Sequence, residues 1–461
     1  MRFDRLLRNE VLISFGVLSI LAMLISGQKL FLFLFLIAIG YGIFREGLEG
    51  KIKFLLFFCT WIYVLKLEEG GFSFFHLLQL IYLMSCAIFI TVNRNKINIK
   101  VLLGFLFFVL YILFNFSINA SSGLFIVLGF VLNFFTITVA FSTIKNIDSF
   151  NSYVLYYTFG LSISGIVAML GEFIPQIKLH IQSMGESFTV YQNDHLYMRF
   201  SGLDIDPNYF AFQVLFGISL LIVISGYKKR HLKENFLIFI LVFMGINTLS
   251  KMFLILLILI ISFICAIYIK NNIITALKFS FVLMISFLVM LPLGFINFIK
   301  ATLFRFSLEG SSTVSITTGR SDLWLLYIRE ILSSLRIFLV GNGFGSGFLG
   351  GYAAHNMYLL YCYFLGFIGI LILLIFIFTS YRHVKKQVVF DNNIMKEMKG
   401  FNKLPLFVLL ISNFSLDSVM MDYFPLFLFL TVITCNYFGT TNDFSVTSIS
   451  EINQSPNILT Q

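Results

Sequence analysis

Residues 356–380 read NMYLLYCYFLGFIGILILLIFIFTS, a run with no acidic or basic side chain. A hydrocarbon core about 30 Å thick is crossed by roughly 20 apolar residues in a helix, so this run is long enough to span a bilayer. A membrane strand would instead show a polar/apolar alternation over about 10 residues, which is absent here. His355 stands at the head of the run, and Arg382, His383, Lys385 and Lys386 stand just past its tail. The two ends therefore predict two different environments.

The rest of the chain repeats this pattern. Of 461 residues, 59% are hydrophobic and 12% charged, with a mean hydropathy of +0.93, values that exclude an ordinary soluble domain. Apolar runs lie near 11–27, 30–44, 54–65, 75–92, 101–118, 124–144, 153–171, 209–226, 236–249, 252–269, 275–298, 356–380, 404–416 and 423–438. The fold expected is an all-α polytopic membrane protein with about 12–14 transmembrane helices. The run 11–27 is followed by SGQKLFLF without a small-x-small site, so no cleavable signal peptide is expected.

Positive loops remain cytoplasmic, which orients the chain. With Arg2, Arg5 and Arg8 inside, 21 of the 32 basic residues fall on the cytoplasmic side, ten fall opposite, and Lys278 lies within a span. The formal charge of +10 is thus a topology signal, and nucleic acid is not an expected partner. Both termini are expected to be cytoplasmic, with 1–439 a single transmembrane domain and 440–461 a polar tail. The two long polar excursions, about 172–208 and 299–355, then share the external face, where they should form a small cap of short helices around a site. Cys59, Cys86, Cys265, Cys362 and Cys435 all lie in apolar runs, so neither excursion can close a disulfide. No CxxC or HExxH spacing occurs, and neither metal nor cofactor is expected.

In the second excursion, Leu323, Trp324, Tyr327, Ile328, Ile331, Leu332 and Leu335 form an apolar face at helical spacing, with Ser321 as its expected N-cap. This amphipathic helix should lie in the membrane–water interface, carrying Arg320 at its start and Arg329 and Arg336 along it. The glycine cluster 341–347 should end it; following a helix rather than a strand, it is no dinucleotide fingerprint. The first excursion ends in the stretch 197–208, which carries Arg199, so Arg199, Arg320 and His355 share one face. Arginine forks suit phosphate because they stay ionised and donate in pairs.

Arg-x-Ser-Gly-x-x-x-Asp-Pro-Asn (199–208), Leu249-Ser-Lys251 between two spans, Thr-Gly-Arg-x-x-x-Trp (318–324), and then Gly-x-Gly and His355-Asn356 occur in that order. The ordered set, over roughly residues 195–380, resembles the O-antigen ligase and Wzy-type surface-polysaccharide polymerase superfamily. That resemblance implies a GT-C-like glycosyltransferase that moves sugar chains from undecaprenyl diphosphate on the periplasmic face. It also implies a lipid-linked oligosaccharide as donor and acceptor, metal-independent transfer, and a chain-length-regulator protein as a possible partner. Lys251 stands where relatives typically carry arginine; it keeps the charge but not the bidentate geometry.

The chemistry of such a transfer assigns roles. Negative charge develops on the departing diphosphate, and Arg199 and Arg320, with Lys251, are the candidates to neutralise it. The acceptor hydroxyl must lose a proton, and His355 is the candidate base. Asn356, Asn208 and Trp324 are candidates for positioning substrate, although Asn356 could equally cap the helix that follows. Asp204-Ile-Asp206 has the form of a metal-holding DxD, but Asp206-Pro207-Asn208 reads better as a helix cap with proline in the first turn. His76, His180, His195, His231 and His383 read as interfacial or solvated residues, His195 being the one nearest Arg199. The alternatives are a ligase of the same superfamily acting on lipid A core or protein, a lipid-linked oligosaccharide flippase, and a non-catalytic membrane scaffold. A flippase should place charges inside its spans and keep its loops short.

Overall fold

The computed structural model describes residues 2–66, 73–94, 97–119, 123–144, 149–184, 189–192, 195–227, 232–271, 320–344, 347–386, 400–417 and 421–437. The expected span 275–298 with Lys278, the first part (299–319) of the second excursion, the tail 440–461, Lys145 and His231 lie outside the described residues.

Every other expected span is helical. The helices are α1 (Arg2–Ser26), α2 (Leu30–Arg45), α3 (Leu48–Phe58), α4 (Phe74–Val92), α5 (Ile99–Asn119), α6 (Leu124–Thr143), α7 (Phe150–Leu170), α8 (Pro175–Met184), α9 (Pro207–Tyr227), α10 (Leu232–Asn247), α11 (Lys251–Asn271), α12 (Arg320–Ser333), α13 (Leu335–Val340), α14 (Met357–Lys386), α15 (Leu404–Ser412) and α16 (Phe424–Tyr437). Among the described residues seven helices are long and apolar enough to cross a bilayer, so the chain is a multi-pass membrane protein. The runs 54–65 and 404–416 instead contain short helices. α3 starts six residues earlier than its apolar run because the Lys51 ammonium is buried, donating to the carbonyls of Ile43 and Phe44 and to Ser85 Oγ, where it caps the end of α2. α15 has only nine residues, about 13 Å of helix, and stops well inside a membrane thickness.

The first excursion departs from a purely helical cap. Thr189–Gln192 and His195–Met198 pair as an antiparallel hairpin, β1 and β2, with Gln192 opposite His195. The second excursion breaks its expected helix in two. α12 already includes Arg320 and Ser321, so Ser321 is not its cap; Ser334 instead caps α13 by accepting from the Ile337 amide.

Position in the bundle follows from how much of each helix is apolar all round. In α9, 83% of the spanning window is buried, whereas in α5 only 33% is, so α9 is central and α5 faces lipid. Phe427 of α16 stacks on Phe216 of α9 at 4.4 Å, and Tyr157 of α7 packs edge-on against it. α14 is interrupted at Gly366 (φ +63), where a Cβ would lie 2.5 Å from the carbonyl oxygen of Leu339. The carbonyls freed by this break still find donors: Asn342 N to Tyr363 O at 2.7 Å, Gly343 N to Phe364 O at 3.0 Å, and Tyr111 Oη to Leu365 O at 2.5 Å. A helix can break inside a membrane only where protein re-satisfies its backbone in this way.

Candidate functional site

The break between α15 and α16, described at residues 413–417 and 421–423, is where the sequence motifs converge. Arg320 Nη1 donates to Ser415 O at 3.1 Å, and Asn356 Nδ2 donates to Phe414 O at 3.3 Å. Asp417 faces His355, with Oδ1 3.4 Å from Nδ1. The same carboxylate oxygen accepts from Tyr209 Oη at 2.9 Å, two residues into α9.

His355 and Asp417 divide the labour by exposure: the imidazole is 42% exposed, the carboxylate 4%. A carboxylate facing Nδ1 fixes the proton there and leaves Nε2 with its lone pair for a substrate. The backbone of His355 has φ +47, a left-handed conformation that is costly for a residue with a Cβ. Its neighbours hold that turn. Trp324 Nε1 donates to Ala354 O at 2.9 Å, and Asn356 Oδ1 accepts from the amides of Tyr358 and Leu359, capping α14. Asn356 is buried, so its side chain serves the helix start, and Trp324 ties the residue before His355 to α12.

Arg199 belongs to a second cluster joined to the first through α9. Its Nη2 donates to Asn208 Oδ1 at 3.0 Å, and its Nε to Thr248 O at 3.1 Å. Asn208 Oδ1 also accepts from Ser250 Oγ at 2.9 Å, so a single amide oxygen ties the Arg199 motif to the Leu249-Ser250-Lys251 motif. Ser250 caps α11 by accepting from Phe253 N, and Lys251 is the first residue of that helix. Leu249 is a second non-glycine residue in the left-handed region, at φ +50. Asp206 Oδ1 accepts from Asn208 N, so the apparent DxD supplies the cap of α9, followed by Pro207. Gly202 is required here: at φ +61 it lets the loop fold so tightly that the Phe210 ring fills the place of a Cβ. Asp204 is buried, accepts from Ile205 N and Gln213 Nε2, and is pushed up to about 8 by burial, so it carries a proton at neutral pH.

Arg199, Arg320, His355, Asn208, Trp324, Asn356 and Lys251 thus gather at one end of the bundle, where α9, α11, α12 and α14 begin. Asp417 and Tyr209 complete the set and were not singled out by the sequence reading. The signal was present in Asn413-Phe-Ser-Leu-Asp-Ser-Val-Met-Met-Asp422, where two carboxylates interrupt an otherwise apolar C-terminal region, and an ionisable group in such a setting marks a functional site. Asp422, the second of these, accepts from Asn133 Nδ2 at 2.9 Å and lies 3.4 Å from His76 Nε2. Among the described residues no cluster of three or more His, Cys, Asp or Glu could hold a metal ion.

No protein-family model and no curated protein matches this chain.

Proposed function

We propose that this protein is a membrane glycosyltransferase, GT-C-like and of 12–14 spans, that polymerises undecaprenyl-diphosphate-linked oligosaccharide repeats into O-antigen or capsular polysaccharide. In this reading it works at the external face of the bacterial cytoplasmic membrane, with both termini in the cytoplasm. The observation that carries the reading is the half-exposed His355 backed by buried Asp417, on the same face of the bundle as Arg199 and Arg320. A general base oriented by a carboxylate beside two permanently ionised donors matches the needs of transfer from a lipid diphosphate.

The acceptor hydroxyl gives its proton to His355 Nε2 as its oxygen bonds the anomeric carbon, and the bond from that carbon to the diphosphate oxygen breaks. The electron pair leaves with undecaprenyl diphosphate, whose added charge Arg199 and Arg320 meet, with Lys251 a third cation at the start of α11. Asp417 steadies the imidazolium until the proton passes to solvent.

The test uses purified protein in nanodiscs with an undecaprenyl-diphosphate-linked repeat unit, following product length by gel. Wild type should build a ladder. His355→Ala should slow it by about 10²–10⁴-fold, and Arg199→Ala or Arg320→Ala by about 10²-fold or more. A single addition to a lipid A core acceptor would make the enzyme a ligase, and lipid movement between leaflets without new glycosidic bonds would make it a flippase.

A further inference from the structure

A cavity of about 330 Å³ opens between the ends of α7 and α10, the helix α8 and the loop 199–207. Arg199 is common to this cavity and to the cluster around Asn208. The polar wall is formed by Arg199, Lys178, Glu172, Gln182, Asn247 and Ser201. Its two cations outnumber its one ionised acid, since Asp204, also in the wall, is neutral at pH 7. The net charge of the wall is therefore +1.

Two apolar stripes lead into this cavity along the membrane surface. On α10, Phe236, Phe239 and Phe243 are exposed at helical spacing, and Asn247, one turn further, is in the cavity wall. On α7, Phe159 and Ile166 are exposed, and Met169 follows in the wall. The two helices touch closely, with Met244 Sδ 2.4 Å from where a Gly165 Cβ would be, so the stripes run side by side. On α10 apolar surface gives way to Asn247 within one turn, and past the end of α7 the wall continues with Glu172. That profile is the shape of an amphiphile: chains below, a polar monoanionic head above. The volume is at the small end of ligand sites, which run to about 300–1,000 Å³, and suits a headgroup rather than an oligosaccharide.

We propose that this cavity holds the headgroup of an anionic glycerophospholipid of the surrounding bilayer, its phosphodiester beside Arg199 and Lys178 and its acyl chains along the α7 and α10 stripes. A phosphodiester carries the one negative charge that the wall complements, and the hydroxyls of a glycerol head match Gln182, Asn247 and Ser201. The assignment shares Arg199 with the glycosyltransferase reading, and the undecaprenyl diphosphate arm of the test tells the two occupants apart.

The test reconstitutes the full chain in nanodiscs with equal phosphatidylglycerol and phosphatidylcholine and measures the lipid retained on detergent release by native mass spectrometry. Wild type should keep phosphatidylglycerol in preference. Lys178→Glu should lower that preference by roughly fivefold or more, since each basic group near a headgroup contributes about 1 kcal/mol. Gln182→Glu, at an exposed position that leaves the Lys178–Glu172 pair intact, lowers the charge of the wall by one where Lys178→Glu lowers it by two, and should reduce the preference in the same direction by a smaller factor. Lys385→Glu, at the tail of α14, should change nothing. Equal retention of the two lipids by wild type, or a preference unaltered by Gln182→Glu, overturns the assignment. Displacement of phosphatidylglycerol by an equimolar amount of undecaprenyl diphosphate would overturn it too, because the occupant would then be the lipid diphosphate.

Discussion

Two histidine–aspartate pairs hang on one short break in the bundle, and they are wired in opposite senses. In the pair His355–Asp417 the carboxylate faces Nδ1. In the pair His76–Asp422 it faces Nε2 at the same 3.4 Å, while His76 Nδ1 accepts from the Ser73 amide at 3.1 Å and lies 2.8 Å from Ser73 Oγ. An amide can only donate, so His76 Nδ1 must be unprotonated and its proton must sit on Nε2. His76 Nδ1 is therefore hydrogen-bonded and Nε2 faces Asp422 at 3.4 Å, both within the protein, and the residue is buried at the start of α4 as half of a capping box. His355 has one nitrogen engaged and its ring half in solvent. The same two residue types make a closed pair in one place and an open one in the other, and the second contact of the imidazole decides which.

The largest expected effects separate the two pairs by kind. Asp417→Asn should keep the fold and lower the rate by about 10²-fold, because an amide can hold His355 in the wrong tautomer. It should also move the acid limb of the pH–rate profile, a readout that a packing role would leave alone. Asp422→Asn should keep the wild-type pH–rate profile and instead reduce thermal stability by about 1–3 kcal/mol, the cost of leaving buried partners unsatisfied. Equal loss of rate in both variants would erase the distinction between open and closed pairs.

A pH titration of stability gives a smaller effect of defined sign. Burial by itself drives the Asp422 carboxyl up, but the His76 N–H that faces it, the charge of Lys66 and the Asn133 bond outweigh it and hold the group below the usual carboxylate range. A depressed carboxylate adds stability above its unfolded pKa of about 3.9 and loses it as pH falls through the folded value. The stability gap between wild type and Asp422→Asn should therefore be constant from pH 5 to 8 and narrow below pH 4. Asp204 has the opposite sign. Raised to about 8, it costs stability progressively as pH rises from the unfolded carboxylate value, and the cost levels off above 8. Asp204→Asn should raise the melting temperature at pH 8 and barely change it at pH 4.

The mildest change tests the closed pair alone. Ser73→Ala removes the cap of α4 and should cost about 0.5–2 kcal/mol, with transfer activity per folded molecule unchanged. Thermal shift and gel assay on the same sample check both halves of this expectation.

What was legible in the sequence follows from how membranes constrain a chain. Each apolar run must become a helix, because an unpaired peptide group in lipid is too costly, and the ends of successive runs must alternate between faces. From that rule alone Arg199, Lys251, Arg320 and His355 fall on one side, where they stand at the starts of α9, α11, α12 and α14. The hairpin 189–198 was not legible, since four-residue strands carry too little alternation to read. Nor was the split of α12 from α13 at Ser334. Asp417 was hidden for a different reason: six residues between two apolar runs read as a plain turn, and nothing local says that the turn lies beside His355.

The sequence by itself determined that this is a multi-pass helical membrane protein and which residues share a face, because hydrophobic length and charge placement act along the chain. Only the tertiary structure decided which of those residues meet. It left one histidine half open beside its carboxylate and enclosed the other, and gave Asn208 to Arg199 and Ser250 and Asn356 to a helix cap. Those choices depend on contacts between residues up to several hundred positions apart, such as His76 with Asp422, and such contacts form only when helices pack.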